Sequence, residues 1–367
     1  MSKTFHEKPF DDGTITKLSI FDKYLKEWLP VFLSGKVPDW NTINIFDFFS
    51  GPGHDCDGNK GTPFIIIDEI ANHAAEIKSK NLKVNLYFND NDFKKSNILK
   101  EKIAKYQSNE YPFNITVDNL EFQDSFKSQI GKMKSKNCAN LVFLDQFGIK
   151  EVTEENFITL TSLKRTDFIM FISSSTLKRF TEHPGITEHI KLDPEKVKAT
   201  PFYKIHRLVV EYYKSKISKG SKYYLGSFSL KKVSGLYGLI FGSGHLLGIE
   251  KFIKTCWSID PERGEANFDI DDDRLKNKQL TLWGGDSQTK PKKIDGFELD
   301  LKEKILQCEF TSDKDVYLYM LECGMLKSHA SKVISDLIKE NKIKKCKLRL
   351  VHDICKPNSD NAKIELI

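Results

Sequence analysis

Apolar residues recur at Leu18, Phe21, Leu25, Trp28, Leu29 and Phe32. This three- and four-residue spacing marks one face of a helix, and residues 1–14 before it read as a loose arm. The run Thr42-Ile43-Asn44-Ile45-Phe46-Asp47-Phe48-Phe49 is short and rich in β-formers, and it ends in Ser50-Gly51-Pro52-Gly53. It predicts a strand running into a glycine turn. Thr62 as N-cap and Pro63 behind it open a predicted helix over 62–79. Strands follow over 83–88, 114–122, 140–145 and 167–173, alternating with helices over 93–106 and 153–163. The continuous apolar character of 140–145 and 167–173 fits strands covered on both faces.

Strand–helix alternation implies parallel pairing with helices on both sides. The pattern then changes. A helical stretch over 203–217 precedes two strands, 222–230 and 235–241, joined by a short polar link, Lys231 to Ser234, which predicts a hairpin. A helix over 246–257 closes this part. A mainly parallel, doubly wound sheet edged by an antiparallel hairpin is the Rossmann-like α/β layout of class I methyltransferases. Residues 258–300 are acidic and turn-rich, with Asp271-Asp272-Asp273, Gly284-Gly285 and a short strand over 279–283. They read as a connector. Residues 301–309, 313–322 and 328–340 each suit a helix, and the basic run Lys342, Lys344, Lys345, Lys347 and Arg349 follows on β-prone residues. Three helices and a β-ribbon make a C-terminal winged-helix pattern. The predicted organisation is therefore 1–257, a connector over 258–300, and 301–367.

With 367 residues, 39% hydrophobic and 29% charged, the chain is long enough for a sizeable core. Collagen-like, mucin-like and wholly disordered classes are excluded. No apolar run approaches the roughly 20 residues that span a bilayer, and the charged first residues do not resemble a secretion signal. The expectation is a soluble cytoplasmic protein with no membrane partner. The seven cysteines are widely spaced without a CxxC, so reduced and mostly buried thiols are expected rather than a disulfide framework. The net charge of +6 permits a nucleic-acid partner without requiring one.

The candidate chemistry lies at the predicted strand ends. Glycines at 51 and 53 let backbone approach a ligand closely, and neither a GxGxxG nor a GxxxxGK[ST] phosphate loop is present. An adenosyl ligand fits this loop better than a pyrophosphate, the alternative being a plain tight turn. Asp90, after the second strand, is placed to accept hydrogen bonds from ribose hydroxyls, while Asp92 suits a helix cap. Asp124, after the third strand, could reach an adenine amino group. His54 lies just past the glycine loop, either lining the pocket or solvated. Ser173 to Thr176 carry no GxSxG elbow.

Asp145-Gln146-Phe147-Gly148 ends the fourth strand. It resembles the Asp/Asn-Pro-Pro-aromatic motif of enzymes that methylate exocyclic amino groups. The resemblance implies that Asp145 orients the target amine and Phe147 stacks on the base, with Gln146 standing where a proline would.

A closer resemblance is to the three-Cys-motif partner protein family. It is carried by Lys17 and Tyr24-Leu25-Lys26-Glu27-Trp28, by Asp47-Phe48-Phe49-Ser50-Gly51-Pro52-Gly53, by Gly61-Thr62-Pro63, by Asp145-Gln146-Phe147-Gly148, by Arg179, and by Gly244-His245 with Gly248. It spans roughly residues 16–290. It implies a class I methyltransferase fold with S-adenosylmethionine as cofactor, held by Asp47, Gly51, Gly53, Asp90 and Asp124. Lys17 and Arg179 are then substrate-side residues, and a three-cysteine-motif protein is a possible partner. Lys332, Lys344 and Lys345 of the winged-helix pattern would meet phosphates of DNA or RNA. The reading is methyl transfer to a base amino group of a nucleic acid. The alternative is a non-catalytic methyltransferase-fold protein that binds nucleic acid or a partner enzyme.

Overall fold

The computed structural model describes residues 8–34, 40–108, 110–146, 151–183, 190–218, 220–270 and 293–367. The chain divides into two units, Met1–Lys251 and Phe252–Ile367. The division falls inside the helix expected to end at 257, so the following turn region through 270 belongs to the second unit. Phe147, Asp271 to Asp273, the strand expected over 279–283 and Gly284-Gly285 lie outside the described residues.

Seven strands build the sheet of the first unit: β1 (Thr42–Asp47), β2 (Lys83–Asn89), β3 (Phe113–Asp118), β4 (Cys138–Leu144), β5 (Thr166–Ile172), β6 (Tyr224–Lys232) and β7 (Gly235–Ser243). Their order is β3-β2-β1-β4-β5-β7-β6. The first five run parallel, and β7 pairs antiparallel with both β5 and β6. This is the Rossmann-like methyltransferase-type sheet expected from the sequence. Only Val233-Ser234 form the hairpin link, because Lys231 and Lys232 remain paired within β6.

The register is pinned by a ladder of amides. Asn114, Asn85, Asn44 and Asn140 sit side by side on β3, β2, β1 and β4, followed by Thr166 on β5. Each amide donates to its neighbour: Asn114 to Asn85 (3.4 Å), Asn85 to Asn44 (2.8 Å), Asn44 to Asn140 (3.0 Å) and Asn140 to the Thr166 hydroxyl (2.9 Å). A one-residue slip would turn each side chain to the other face and leave buried amides unpaired, which costs about 1–3 kcal/mol apiece.

Thirteen α-helices fall in the described residues. Those of the first unit are α1 (Asp12–Leu33), α2 (Thr62–Asn72), α3 (Ala74–Ser79), α4 (Phe93–Ile103), α5 (Phe122–Met133), α6 (Glu154–Ser162), α7 (Ser174–Arg179), α8 (Pro194–Ala199) and α9 (Ile205–Lys216). Helix α10 (Leu246–Ile259) contains the division. Caps explain several starts. The Asp11 carboxylate accepts from Thr14 N (2.7 Å) and starts α1 earlier than the apolar periodicity suggested. Asp92 caps α4, and Thr153 with Asn156 closes a capping box on α6. The helix expected over 62–79 breaks at His73 into α2 and α3, with Gly61 rather than Thr62 at the N-cap.

Helices cover both faces of the sheet. Phe46, Phe48, Val142, Leu144, Phe168 and Met170 pack with Phe122, Phe126, Phe157 and Tyr213 in one buried cluster. On the other face α1 brings Phe21 against Phe143 (centroids 4.4 Å apart) and Tyr24 against Phe241 (4.8 Å). The Tyr24 hydroxyl donates to the buried Asp167 carboxylate (2.7 Å). Burial pushes the Asp167 carboxyl up to about 6, so this donor matters to an acid with little water around it. Tyr24→Phe is expected to lower stability by about 1.5–3 kcal/mol, the range for a hydrogen bond to a charged group. Urea denaturation near neutral pH checks it, and a loss below ~0.5 kcal/mol would mean that Asp167 does not need this donor.

The second unit contains α11 (Lys293–Leu306), α12 (Asp313–Glu322) and α13 (Lys327–Lys339). Phe297, Leu301, Ile305, Val316, Tyr317, Met320, Val333 and Leu337 are among its buried residues on these helices. Helix α11 starts eight residues before the expected 301. The expected β-ribbon forms no continuous strand among the described residues; only the isolated antiparallel bridges Ser312↔Lys363 and Ile343↔Leu366 form there. The thiols differ from expectation too. All seven cysteines are free, but Cys56 and Cys308 are exposed and only Cys138 and Cys256 are buried.

Candidate functional site

In an open α/β sheet, ligands bind beyond the carboxyl ends of the strands where the strand order reverses. Here that point lies between β1 and β4. The segments leaving β1, β2 and β4 supply Asp47 to Gly53, Asn89 to Asp92, and Asp145 with Gln146.

Asp47 is the last residue of β1 and is 1% exposed. Its Oδ1 accepts from Phe49 N (3.1 Å), and its Oδ2 is buried with no hydrogen-bond partner among the described residues. Burial pushes this carboxyl up to about 8; Asp145 and Asp90 nearby raise it further, while Lys17 opposes them. Gly51 and Gly53 adopt φ of 61° and 85°, left-handed values that glycine takes at little cost. A Cβ on Gly53 would lie 2.5 Å from the Phe64 ring, so the turn tolerates no side chain there.

Asp90 is bound into the same turn. Its Oδ2 accepts from Gly51 N (3.0 Å) and its Oδ1 from Asp92 N (2.9 Å). Burial raises its pKa, and those two backbone bonds oppose the shift. Asn89 ties three strand ends together. Its amide donates to Phe48 O (3.3 Å) and Leu120 O (3.0 Å) and accepts from Leu120 N (3.1 Å). Asp55 organises the loop beyond Gly53, accepting from Asp57 N, Asn59 N, the Asn59 amide and Phe10 N at 2.8–3.0 Å. Neither Asn89 nor Asp55 was singled out from the sequence. The only signal was a polar residue beside a predicted strand end or glycine turn. The His54 ring lies tilted against Phe64 (centroids 4.2 Å apart), and burial lowers its pKa.

Asp124 is not at a strand end. β3 stops at Asp118, and Asp124 lies exposed in the first turn of α5. The apolar alternation through Phe122 suggested a longer strand, but Phe122 and Phe126 are one face of a helix. Asp118 stands at the strand end instead and accepts from the Tyr87 hydroxyl (2.9 Å).

Asp145 follows β4, and its carboxylate is ion-paired with Lys17 of α1. Lys17 is 5% exposed and also lies over the Phe171 ring (5.0 Å). The structure thus joins Lys17 to Asp145 and leaves it no free path to a distant substrate group. Gln146 is buried, and its Oε1 accepts from Glu151 N and Val152 N (3.1 Å each). Those bonds brace the return of the chain where the resembling motif has a proline.

The other positions are dispersed. Arg179 is exposed at the end of α7, over Phe180 (6.0 Å). Ser173 caps α7, and His245 Nδ1 accepts from Leu247 N at the start of α10. In the second unit, Lys332 is paired with Glu298 (2.6 Å) and Lys344 with Glu365 (2.8 Å), while Lys345 is exposed. Two of the three lysines expected to meet phosphates are therefore already matched with carboxylates. No helix of the described residues is long and apolar enough to cross a membrane.

No family model matches the chain, and no curated protein matches it either. Solved structures do. Trm1 from Pyrococcus horikoshii, in complex with S-adenosyl-L-methionine, is 12% identical over 66% of this chain, with a TM-score of 0.36. The match spans 58% of the Trm1 chain, so well over a third of that protein has no counterpart here. The O-methyltransferase from Bacillus cereus in complex with SAH is 13% identical, covering 65% of this chain and 82% of that one (TM-score 0.32). TomG, an O-methyltransferase from Streptomyces achromogenes involved in tomaymycin synthesis, in complex with SAM, is 10% identical over 64% and 90% (TM-score 0.31). The methyltransferase-type fold of the first unit is established by its own strand order and register, with the glycine turn, Asp47, Asp90 and Asp145 at the switch point.

Proposed function

We propose that the first unit binds S-adenosylmethionine at the glycine turn and transfers its methyl group to an amino group, in the first instance one on a nucleic-acid base. The observation that carries this reading is the grouping of Asp47, Gly51, Gly53 and Asp90 at the β1–β4 switch point. The residues present fit an adenosyl ligand. The glycine turn brings backbone without side chains to the switch point in left-handed conformations, at φ of 61° and 85°. Asp90 spends one bond per oxygen on the turn, leaving lone pairs for ribose hydroxyls. The orphaned Oδ2 of Asp47 is a buried polar atom without a protein partner. When bound, the cofactor supplies an electrophilic methyl group on a sulfonium.

The protein's part is mostly positioning, which can account for much of the rate of such a transfer. Asp90 with the glycine turn would hold the adenosyl ligand on one side of the switch point. Asp145, on the other side, would accept a hydrogen bond from the acceptor amine, and Phe147 would stack on the base. A target inside a duplex would have to be flipped out. The winged-helix reading of the second unit, with its three helices and bridged terminal segments, would hold the nucleic acid through exposed lysines such as Lys345. Membership of the three-Cys-motif partner family, a cytoplasmic location and a three-cysteine-motif partner belong to the same proposal.

A second reading is favoured by one contact. The Lys17 ammonium already occupies the Asp145 carboxylate that would orient the amine. A protein that keeps the adenosyl ligand as a structural or sensing group, without transfer, needs no free Asp145.

Calorimetric titration with S-adenosylmethionine and with S-adenosylhomocysteine tests the common part. Micromolar binding that is lost in Asp90→Ala and in Gly51→Val is the expected result. No binding of either ligand at millimolar concentration would sink both readings. With binding secured, transfer of labelled methyl to nucleic acid, lost in Asp145→Ala, separates the first reading from the second.

A further inference from the structure

Lys232 ends β6 on the same sheet edge as Asp145. Its ammonium lies over two rings, 4.8 Å from the centroid of Phe171 and 5.4 Å from that of Tyr237, and these rings stack at 4.9 Å. Lys17 approaches the same Phe171 ring at 5.0 Å. Two ammonium groups thus share one aromatic ring, and the Asp145 carboxylate, which also acts on Lys232, is paired with Lys17. No described carboxylate pairs with Lys232 at ion-pair distance. The lysine stem is held by a close fit: a Cβ on Gly13 of α1 would fall 2.3 Å from Lys232 Cγ. Lys232 is half-buried rather than trailing in solvent, as an uncommitted hairpin lysine would be.

A half-buried ammonium with no counter-ion is costly. Cation–π contact offsets part of that cost, and an arriving anion would offset the rest. A compact point charge beside a partly exposed ring, here Tyr237 stacked on the buried Phe171, is the combination that binds a phosphate while a base stacks alongside.

We propose that Lys232, with Phe171 and Tyr237, forms a phosphate subsite on the acceptor side of the crevice, filled by the backbone of a single-stranded nucleic acid or by a free nucleotide. This deepens the nucleic-acid part of the proposed function, and it is tested without methyl transfer, so the two fail separately. The surroundings give the subsite a pH dependence. Burial lowers the Lys232 pKa to about 8; Lys17 lowers it further, while Asp145 and Asp11 oppose the shift. The ammonium, and with it the anion affinity, is therefore lost as pH rises through about 8.

The experiment is fluorescence anisotropy of the full chain with a labelled single-stranded oligonucleotide of about 15 nucleotides, the span of the larger single-strand sites, with adenosine monophosphate titrated separately by calorimetry. The expected result is that Lys232→Met weakens oligonucleotide binding about fivefold and lowers the slope of log affinity against log salt by about 0.7, one phosphate contact. Lys136→Met, an exposed lysine before β4 at the opposite end of the sheet from the crevice, leaves that slope within experimental error of wild type. Lys232→Arg keeps the charge, binds like wild type at pH 7 and holds its affinity at pH 9, where wild type weakens. Lys232-dependent binding of the mononucleotide alone would identify a free nucleotide as the source of the phosphate. An affinity and salt slope unchanged in Lys232→Met, or no binding of either probe at low salt, would overturn the subsite.

Discussion

Replacing Lys17 with methionine is expected to lower the stability of the first unit by about 3 kcal/mol. Lys17 is almost wholly buried on the inner face of α1 and its ammonium pairs with Asp145. Methionine fills a similar volume but leaves the Asp145 carboxylate without its ion-paired cation. Breaking one partner of a buried pair costs about 3–5 kcal/mol. The Asp145 side chain keeps 23% of its exposure, so water replaces part of the lost interaction and the lower end applies. The double change Lys17→Met with Asp145→Asn is expected to regain most of the loss, because it removes the stranded charge as well. Urea denaturation of the two single variants and the double variant at pH 7 measures the coupling. Additive losses would mean that the two groups do not stabilise each other.

The second large effect is a pH dependence centred on Asp47. Its folded-state pKa of about 8 lies far above the ordinary aspartate value of 3.8. Between those values the folded protein holds a proton that the unfolded chain releases. This group's contribution to stability is therefore complete below about pH 4 and is lost as pH rises through about 8. At about 1.4 kcal/mol per pH unit, the loss between pH 5 and pH 8 is on the order of 4 kcal/mol. Asp47→Asn keeps an oxygen for Phe49 N, places a neutral amide among Asp145 and Asp90, and cannot ionise. It is expected to be similar to wild type at pH 5, more stable at pH 8, and flatter across the range. Denaturation of both proteins at pH 5, 6.5 and 8 checks it, and parallel pH profiles for the two would remove Asp47 as the source.

Much of this site was legible from local pattern. The glycine turn after the first strand, Asp90 after the second and Asp145 after the fourth follow the strand–turn order read from the sequence, and β2 and β4 end within a residue of expectation while β1 ends two residues early. Asp124 shows where such reading breaks down. Asn119 to Phe122 alternate polar and apolar residues in a way that extends a strand as readily as it starts a helix, and only the packing of Phe122 and Phe126 against Phe48 decides between them. The lysines show a second limit. Lys332 and Lys344 look like a free basic face in sequence, but Glu298 and Glu365, distant along the chain, match them. Lys232 reads in sequence as part of a short polar hairpin link, but the pairing of β6 with β7 and the missing Cβ of Gly13 draw it onto Phe171.

The sequence by itself determined where most strands and helices of the first unit lie, because periodicity, glycine turns and capping carboxylates act over a few residues. It also determined the order of strand ends around the crevice, because alternating strands and helices wind one way. Tertiary structure alone decided the charge state and accessibility of those ends. The Lys17–Asp145 pair, the raised carboxyl of Asp47 and the unpaired ammonium of Lys232 all arise between elements far apart in the chain. They depend on how much water remains once α1 closes over the sheet, and no local pattern records that quantity.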